Sequence, residues 1–138
     1  MPAPTAIIPC LGYADAPAAI DFLCEAFGFT RHAVHASEDG RLVHHAQLKL
    51  GSSMIKLNST STESRERFGT VNPIDAKGLV TGSLYVVLHA VDADHDIASA
   101  HGAAIILAPH DNDYGGRSYE ARDCEGYMWS FGSYDPFK

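Results

Sequence analysis

Two charged residues on strand-like stretches carry the sharpest chemistry in this chain, Lys56 and Glu120. Lys56 follows the turn Gly51-Ser52, and a two-residue connection there sets it directly opposite Gln47. Alternation then puts Leu48, Leu50, Ile55 and Leu57 on one apolar face, and Gln47, Lys49, Met54 and Lys56 on the other. Glu120 precedes the turn Asp-Cys-Glu-Gly at 123–126. A three-residue loop with Gly126 in a left-handed conformation sets Glu120 opposite Ser130, and Tyr119 opposite Phe131. Tyr119, Ala121, Trp129 and Phe131 then face a core, while Ser118, Glu120, Arg122, Met128 and Ser130 share the polar face. An ammonium beside an amide, and a carboxylate beside a hydroxyl, can hold a polar ligand or exchange protons with it. The plainer account is an ion pair, or solvated charges on strands.

Other candidates are weaker. Tyr85 shares strand parity with Ser83, whereas Leu84 and Val86 point the other way, so it offers an aromatic wall with a hydroxyl. In the stretch Pro109–Arg117, Gly115-Gly116 permits a tight chain path between Tyr114 and Arg117, which could close over a ligand. A hairpin in which Arg117 pairs with Asp111 or Asp113 explains the same residues. The eight histidines invite a metal reading. His44 and His45 are adjacent on a strand, however, and point to opposite faces. A two-residue turn at Asp39-Gly40 would put Val34 opposite His45 and His32 opposite Gln47, leaving His32 and His45 diagonal neighbours about 7–8 Å apart. Half-exposed strand histidines account for them better. HExxH, a GxSxG elbow, a phosphate-binding loop and a dinucleotide glycine pattern are all absent from the sequence.

The elements that must position these residues come in two similar series. Ile7–Leu11 predicts a strand; Asp15 and Pro17 start a helix over 16–27, with Ile20, Leu23, Cys24 and Phe27 at helical spacing and Gly28 as its stop. Strands over 29–35, 42–50 and 54–57 follow. The Ser-, Thr- and Gly-rich stretch 58–82 reads as a linker. A second series gives a strand over 84–89, a helix over 92–101 with Ile97 and Ala100 on one face, and strands over 104–107, 118–123 and 127–131. Gly28 and Gly102 stand 74 positions apart, as do Lys56 and Ser130. That period predicts duplicated units burying a face against each other.

The stretches Ala14-Asp-Ala-Pro-Ala-Ala-Ile-Asp-Phe22, Phe27-Gly-Phe29 and Tyr114–Phe131 give the chain a family likeness. It resembles the vicinal oxygen chelate superfamily, in its glyoxalase-like or bleomycin-resistance-like branch. Cys124 stands where relatives usually have Pro, and Tyr127 where many have His or Asn. The resemblance implies an α+β fold of two βαβββ modules around a shared cavity, as one domain: module one about 5–58, linker about 59–81, module two about 82–133. It also implies four metal-ligand positions, which fall on Ile8, Lys56, Ser83 and Ser130. None of these is a His, Asp or Glu, and an ammonium would repel a cation. The expectation is therefore no metal and no cofactor. A cavity with Gln47, Lys56, Glu120 and Ser130 at its centre takes the metal's place, with Tyr85, Tyr114, Arg117 and Met128 around it. Cys10 falls on the cavity side of the first strand and reads as a buried structural thiol.

Composition narrows the partners. A net charge of -7 disfavours nucleic acid and anionic membrane, and suits a neutral or cationic small organic molecule. Three scattered cysteines and an N-terminus without a basic or apolar leader predict a cytoplasmic protein, and the resemblance implies a homodimer. Three functions are compatible with this. One is a metal-free protein that binds and sequesters an antibiotic or other small molecule. Another is an isomerase or lyase using Lys56 or Glu120 instead of a metal. The third is a metal-dependent lyase or dioxygenase with displaced histidine ligands.

Overall fold

The computed structural model describes residues 2–138. Two βαβββ units follow one another, each closing a four-stranded mixed sheet. The first consists of β1 (Cys10–Tyr13), α1 (Ala16–Phe27), β2 (Thr30–Ala36), β3 (Val43–Leu50) and β4 (Ser53–Ser59). A short helix, α2 (Thr62–Phe68), lies in the connection. The second unit is β5 (Leu84–Val87), α3 (Val91–Ala100), β6 (Ala104–Asp111), β7 (Arg117–Arg122) and β8 (Met128–Gly132). The strand orders are β1-β4-β3-β2 and β5-β8-β7-β6, with β1–β4 and β5–β8 parallel and the other pairs antiparallel.

Helix α1 begins where the Asp15 carboxylate accepts the Ala18 amide, and it ends on Gly28 in a left-handed conformation. Its stripe Ala16, Ala19, Ile20, Leu23, Ala26 and Phe27 is buried. Helix α3 has no side-chain cap and buries only Val91 and Ala98. Ile97 and Ala100, expected on its buried face, are exposed. So few apolar residues leave the helix phase undetermined by the sequence, and packing against α1 sets it. The stretch expected to be a linker contains α2, which buries nothing and rests on its caps: Ser61 accepts the Ser64 amide, and Gly69 takes a left-handed conformation. Composition hid it because it has no apolar periodicity. The first strand also starts later than expected, at Cys10 rather than Ile7, and β6 runs on to Asp111.

Both sheets turn their apolar faces toward one core that contains both long helices. Leu11, Tyr13, Leu48 and Leu57 from sheet one join Tyr119, Ala121, Trp129 and Phe131 from sheet two. Helix α1 packs on α3 and on sheet one, and Phe27 reaches β8 with ring centroids 5.3 Å from Trp129 and 4.8 Å from Phe131. Fully burying an aromatic side chain of this kind contributes about 1.5–3 kcal/mol, so this aromatic layer is what makes two small modules one unit.

A turn between β7 and β8 fastens the modules further. Asp123 is buried, and its Oδ2 accepts from Tyr13 Oη at 2.6 Å and from Trp129 Nε1 at 3.0 Å. Its Oδ1 accepts the amides of Glu125 and Tyr127, both at 3.0 Å. Burial raises the Asp123 carboxyl above the ordinary carboxylate range, against the pull of those four donors. Glu125 spreads its carboxylate across the amides of Ala14 and Asp15 at 2.6 and 2.8 Å, and takes Asn72 Nδ2 at 2.5 Å. Burial and the adjacent Asp123 and Glu125 push the Cys124 thiol up to about 12, so it is no nucleophile at neutral pH.

Candidate functional site

The expected registers on the polar side are present. Gln47 pairs with Lys56, and Glu120 pairs with Ser130. The parallel edges extend each pair to a third strand, where Cys10 stands beside Lys56 and Tyr85 beside Ser130. Each sheet therefore carries one lateral row across three strands, Gln47–Lys56–Cys10 in sheet one and Glu120–Ser130–Tyr85 in sheet two. All lie on the faces opposite the core, by alternation with buried Leu48, Ile55, Tyr119, Trp129 and Phe131. Cys10 is exposed rather than a buried thiol, because it sits on this open face of an edge strand.

Lys56 and Glu120 form no ion pair with each other or with any other described residue. The modules meet through their helix-bearing faces, so both rows look away from the shared core. A single chain therefore does not bring Lys56 and Glu120 into the one cavity expected of them.

The row in sheet one has basic and amide surroundings. His45 Nε2 lies 2.9 Å from Gln47 Nε2, and His45 stacks on His35 at 6.0 Å between ring centroids. The expected partner across this hairpin was His32. Register shifts on either side of 33–35 instead set His35 opposite His45, Val34 opposite Ala46 and Ala33 opposite Gln47. A six-residue connection, 37–42, with Ser37 Oγ bonded to Asp39 and Leu42, replaces the two-residue turn. Among the described residues no three His, Cys, Asp or Glu side chains converge as metal ligands do. The four positions implied by family resemblance, Ile8, Lys56, Ser83 and Ser130, do not fit a metal either.

The row in sheet two has aromatic surroundings. Tyr85, 42% exposed, donates its hydroxyl to the Tyr134 carbonyl at 2.6 Å, and Tyr134 meets Tyr114 edge to face at 5.2 Å. Two glycines make room for this. A Cβ on Gly132 would lie 2.7 Å from Tyr85 Oη, and one on Gly116 would lie 2.8 Å from the Tyr134 amide nitrogen, where φ is also +74°. Gly132→Ala is therefore expected to displace Tyr85 and cost about 1–3 kcal/mol by overpacking. A thermal melt and the loss of the Tyr85 hydroxyl contact in a crystal structure would check it. Tyr134 escaped the sequence reading because it lies beyond the last strand. Arg117 is bound to Asp92 at 2.9 and 3.0 Å and to Asp111 at 3.2 Å, so it braces α3 against the β6–β7 hairpin. Met128 lies across from Arg122 at the end of the sheet.

A cleft of about 670 Å³ lies between the modules. Of the eight residues proposed for ligand binding only Tyr85 lines it. Its walls are Phe27, Phe29, Leu50 and Ile55 from one module and Leu84 and Trp129 from the other. No helix among the described residues is long and apolar enough to cross a membrane.

Residues 7–131 match the sequence pattern of the Glyoxalase/Bleomycin resistance protein/Dioxygenase superfamily. The chain belongs to that superfamily. An uncharacterized protein of Mycobacterium bovis is 29% identical over 129 residues, spanning 92% of this chain and 82% of the relative. The crystal structure of TioX from Micromonospora sp. ML1 has a TM-score of 0.71 at 26% identity, covering 93% of this chain and 94% of TioX. A glyoxalase-related enzyme from Fulvimarina pelagi has a TM-score of 0.70 at 14% identity, covering 93% and 86% of the two chains, and shares the fold.

Proposed function

We propose that this superfamily member is a metal-free binding protein for a small organic molecule, which it holds on the polar faces of its sheets. The observation that carries this reading is the pair of lateral rows. In one, Gln47 and Lys56 offer donors; in the other, Glu120, Ser130 and Tyr85 offer acceptors beside an aromatic patch. The Cys10 thiol is turned to the Ile8 carbonyl and makes no hydrogen bond to Lys56, and Ser130 makes none to Glu120. Without an activated nucleophile, and with no metal donor set among the described residues, binding is favoured over the lyase, isomerase or dioxygenase readings.

The two faces also complement each other in charge. Lys49 and Lys56 occupy one, while Glu120 and the tyrosines occupy the other, where the Arg122 guanidinium is turned to the carbonyls of Gly78 and Gly126. In a homodimer, face one of one copy laid toward face two of its partner would bring Lys56 and Glu120 to opposite walls of one cavity. The ligand suited to such walls places an acceptor toward Lys56 and a donor or cation toward Glu120, against aromatic rings. Three free cysteines fit a reducing cytoplasm for this protein.

A thermal-shift screen of small cationic and zwitterionic aromatic compounds, followed by Lys56→Met and Glu120→Gln, tests the assignment. Each substitution should weaken the hit by about tenfold or more, the loss of one charge-assisted hydrogen bond, with melting of the free protein nearly unchanged. Unchanged affinity in both variants would leave the rows as mere surface charge. Light scattering should report a dimer. Elemental analysis should find no stoichiometric transition metal after metal-supplemented expression, and one equivalent of metal removed by His45→Ala would restore the metalloenzyme reading.

A further inference from the structure

The cleft between the modules meets the two rows only at Tyr85 and carries a feature they do not explain. Asp94, on α3, is the one acidic or basic side chain in its lining. Its Oδ2 accepts the Tyr119 hydroxyl at 2.6 Å, and among the described residues neither carboxylate oxygen has a cationic partner. The remaining wall is largely aliphatic and aromatic: Phe27, Phe29, Leu50, Met54, Leu84 and Trp129. The volume falls in the range of small-molecule sites, about 300–1,000 Å³.

We infer that this cleft is a second ligand site, which takes a compact apolar amine with its ammonium on the free oxygen of Asp94. Two observations converge on that chemistry. The walls drive apolar surface out of water, at about 25 cal/mol per Å². The carboxylate supplies the single charge, and Tyr119 fixes its orientation, so little rotamer freedom is lost on binding. A neutral ligand of the same shape would gain the apolar term and forgo the ionic one. Burial disfavours the charged carboxylate, and a bound ammonium would relieve that cost.

The experiment compares 1-aminoadamantane with 1-adamantanol, cages of one shape that differ in charge. Binding is followed by calorimetry on the full chain, with fluorescence of Trp129, the chain's one tryptophan and a cleft wall, as a second signal. The amine should bind at least about tenfold tighter than the alcohol. Asp94→Asn should erase that gap while leaving the alcohol's affinity unchanged, and Asp94→Glu should restore part of it. Asn can still accept the Tyr119 hydroxyl, so the fold should survive. Should it fail to, Met54→Trp, which fills the cleft from its half-exposed rim, should abolish binding of both compounds to an otherwise intact protein. Equal affinities for the two compounds, no binding of either, or an amine preference that survives Asp94→Asn would overturn the inference. So would an amine preference removed by Glu120→Gln instead, which would assign the amine to the face of sheet two. Failure here leaves the proposed site on the sheet faces standing, because Lys56→Met and Glu120→Gln test that one separately.

Discussion

Asp123→Ala should destabilise the protein by about 4 kcal/mol or more, a large part of the 5–15 kcal/mol typical of a domain. The substitution removes the acceptor shared by Tyr13 Oη, Trp129 Nε1 and two backbone amides in a buried turn. Two of those donors belong to aromatic residues that are among the most buried in the chain, so water cannot easily replace the carboxylate. Asp123→Asn should cost less, about 2 kcal/mol, because its Oδ1 still serves the backbone amides. Its amide nitrogen, however, confronts the indole N–H, donor against donor. The pH dependence has a definite sign. Burial raises the folded pKa of Asp123 above its unfolded value. Its contribution is therefore most favourable below the ordinary carboxylate range and declines as pH rises through the raised pKa. The stability gap between the native protein and Asp123→Asn should narrow across that window, in denaturant melts taken from acid to neutral pH. A gap that widened with pH would mean that the four donors outweigh burial.

The sequence disclosed what is local and concealed what is distant. The pairings of Gln47 with Lys56 and of Glu120 with Ser130 could be read because each depends on a short turn, Gly51-Ser52 or Asp-Cys-Glu-Gly. The buried identities of Tyr119, Trp129 and Phe131 then followed from alternation. By contrast, the hairpin over 37–42 has six connecting residues and flanking bulges, and no glycine pair dictates its register. Asp123 drew no attention as a hub because its partner Tyr13 lies 110 residues away. Asp94 looked like an ordinary acidic residue early in a helix, and only the closeness of Tyr119 and the cleft gives it a role. How the modules pack was the largest gap. Each sheet has one apolar face whichever way they assemble, so strand parity says which residues share a face but not what that face meets. The Phe27 contact with β8 decides it, and no local pattern announces a side chain that bridges two units.

The same turn should prove to be the clasp between the modules, through Glu125. Its carboxylate takes the Ala14 and Asp15 amides just ahead of α1, where the positive end of the helix dipole also favours an anion. Its third bond goes to Asn72, which is 1% exposed and anchors the connection after α2. One side chain thus joins module two, the start of the α1 helix of module one, and the segment between the modules. Glu125→Ala leaves two amides and a buried side-chain amide without their acceptor, an expected loss of about 3 kcal/mol. Glu125→Gln keeps one oxygen for the backbone and should lose about half as much. Asn72→Ala removes a single charge-assisted bond, worth about 1.5–3 kcal/mol. A double-mutant cycle on Glu125 and Asn72 should therefore return a coupling of about 1–2 kcal/mol, since the two side chains are in direct contact. Hydrogen exchange supplies an independent reading. The Ala14 and Asp15 amides should lose protection in Glu125→Ala, and the amides of β7, whose ladder does not involve Glu125, should change only with global stability. Equal loss of protection everywhere would make Glu125 a contributor to overall stability with no special hold on the modules. Selective loss at Ala14, Asp15 and the 69–82 segment would show that the hydrogen bonds of one turn, in addition to the aromatic core, keep the two halves of the chain in register.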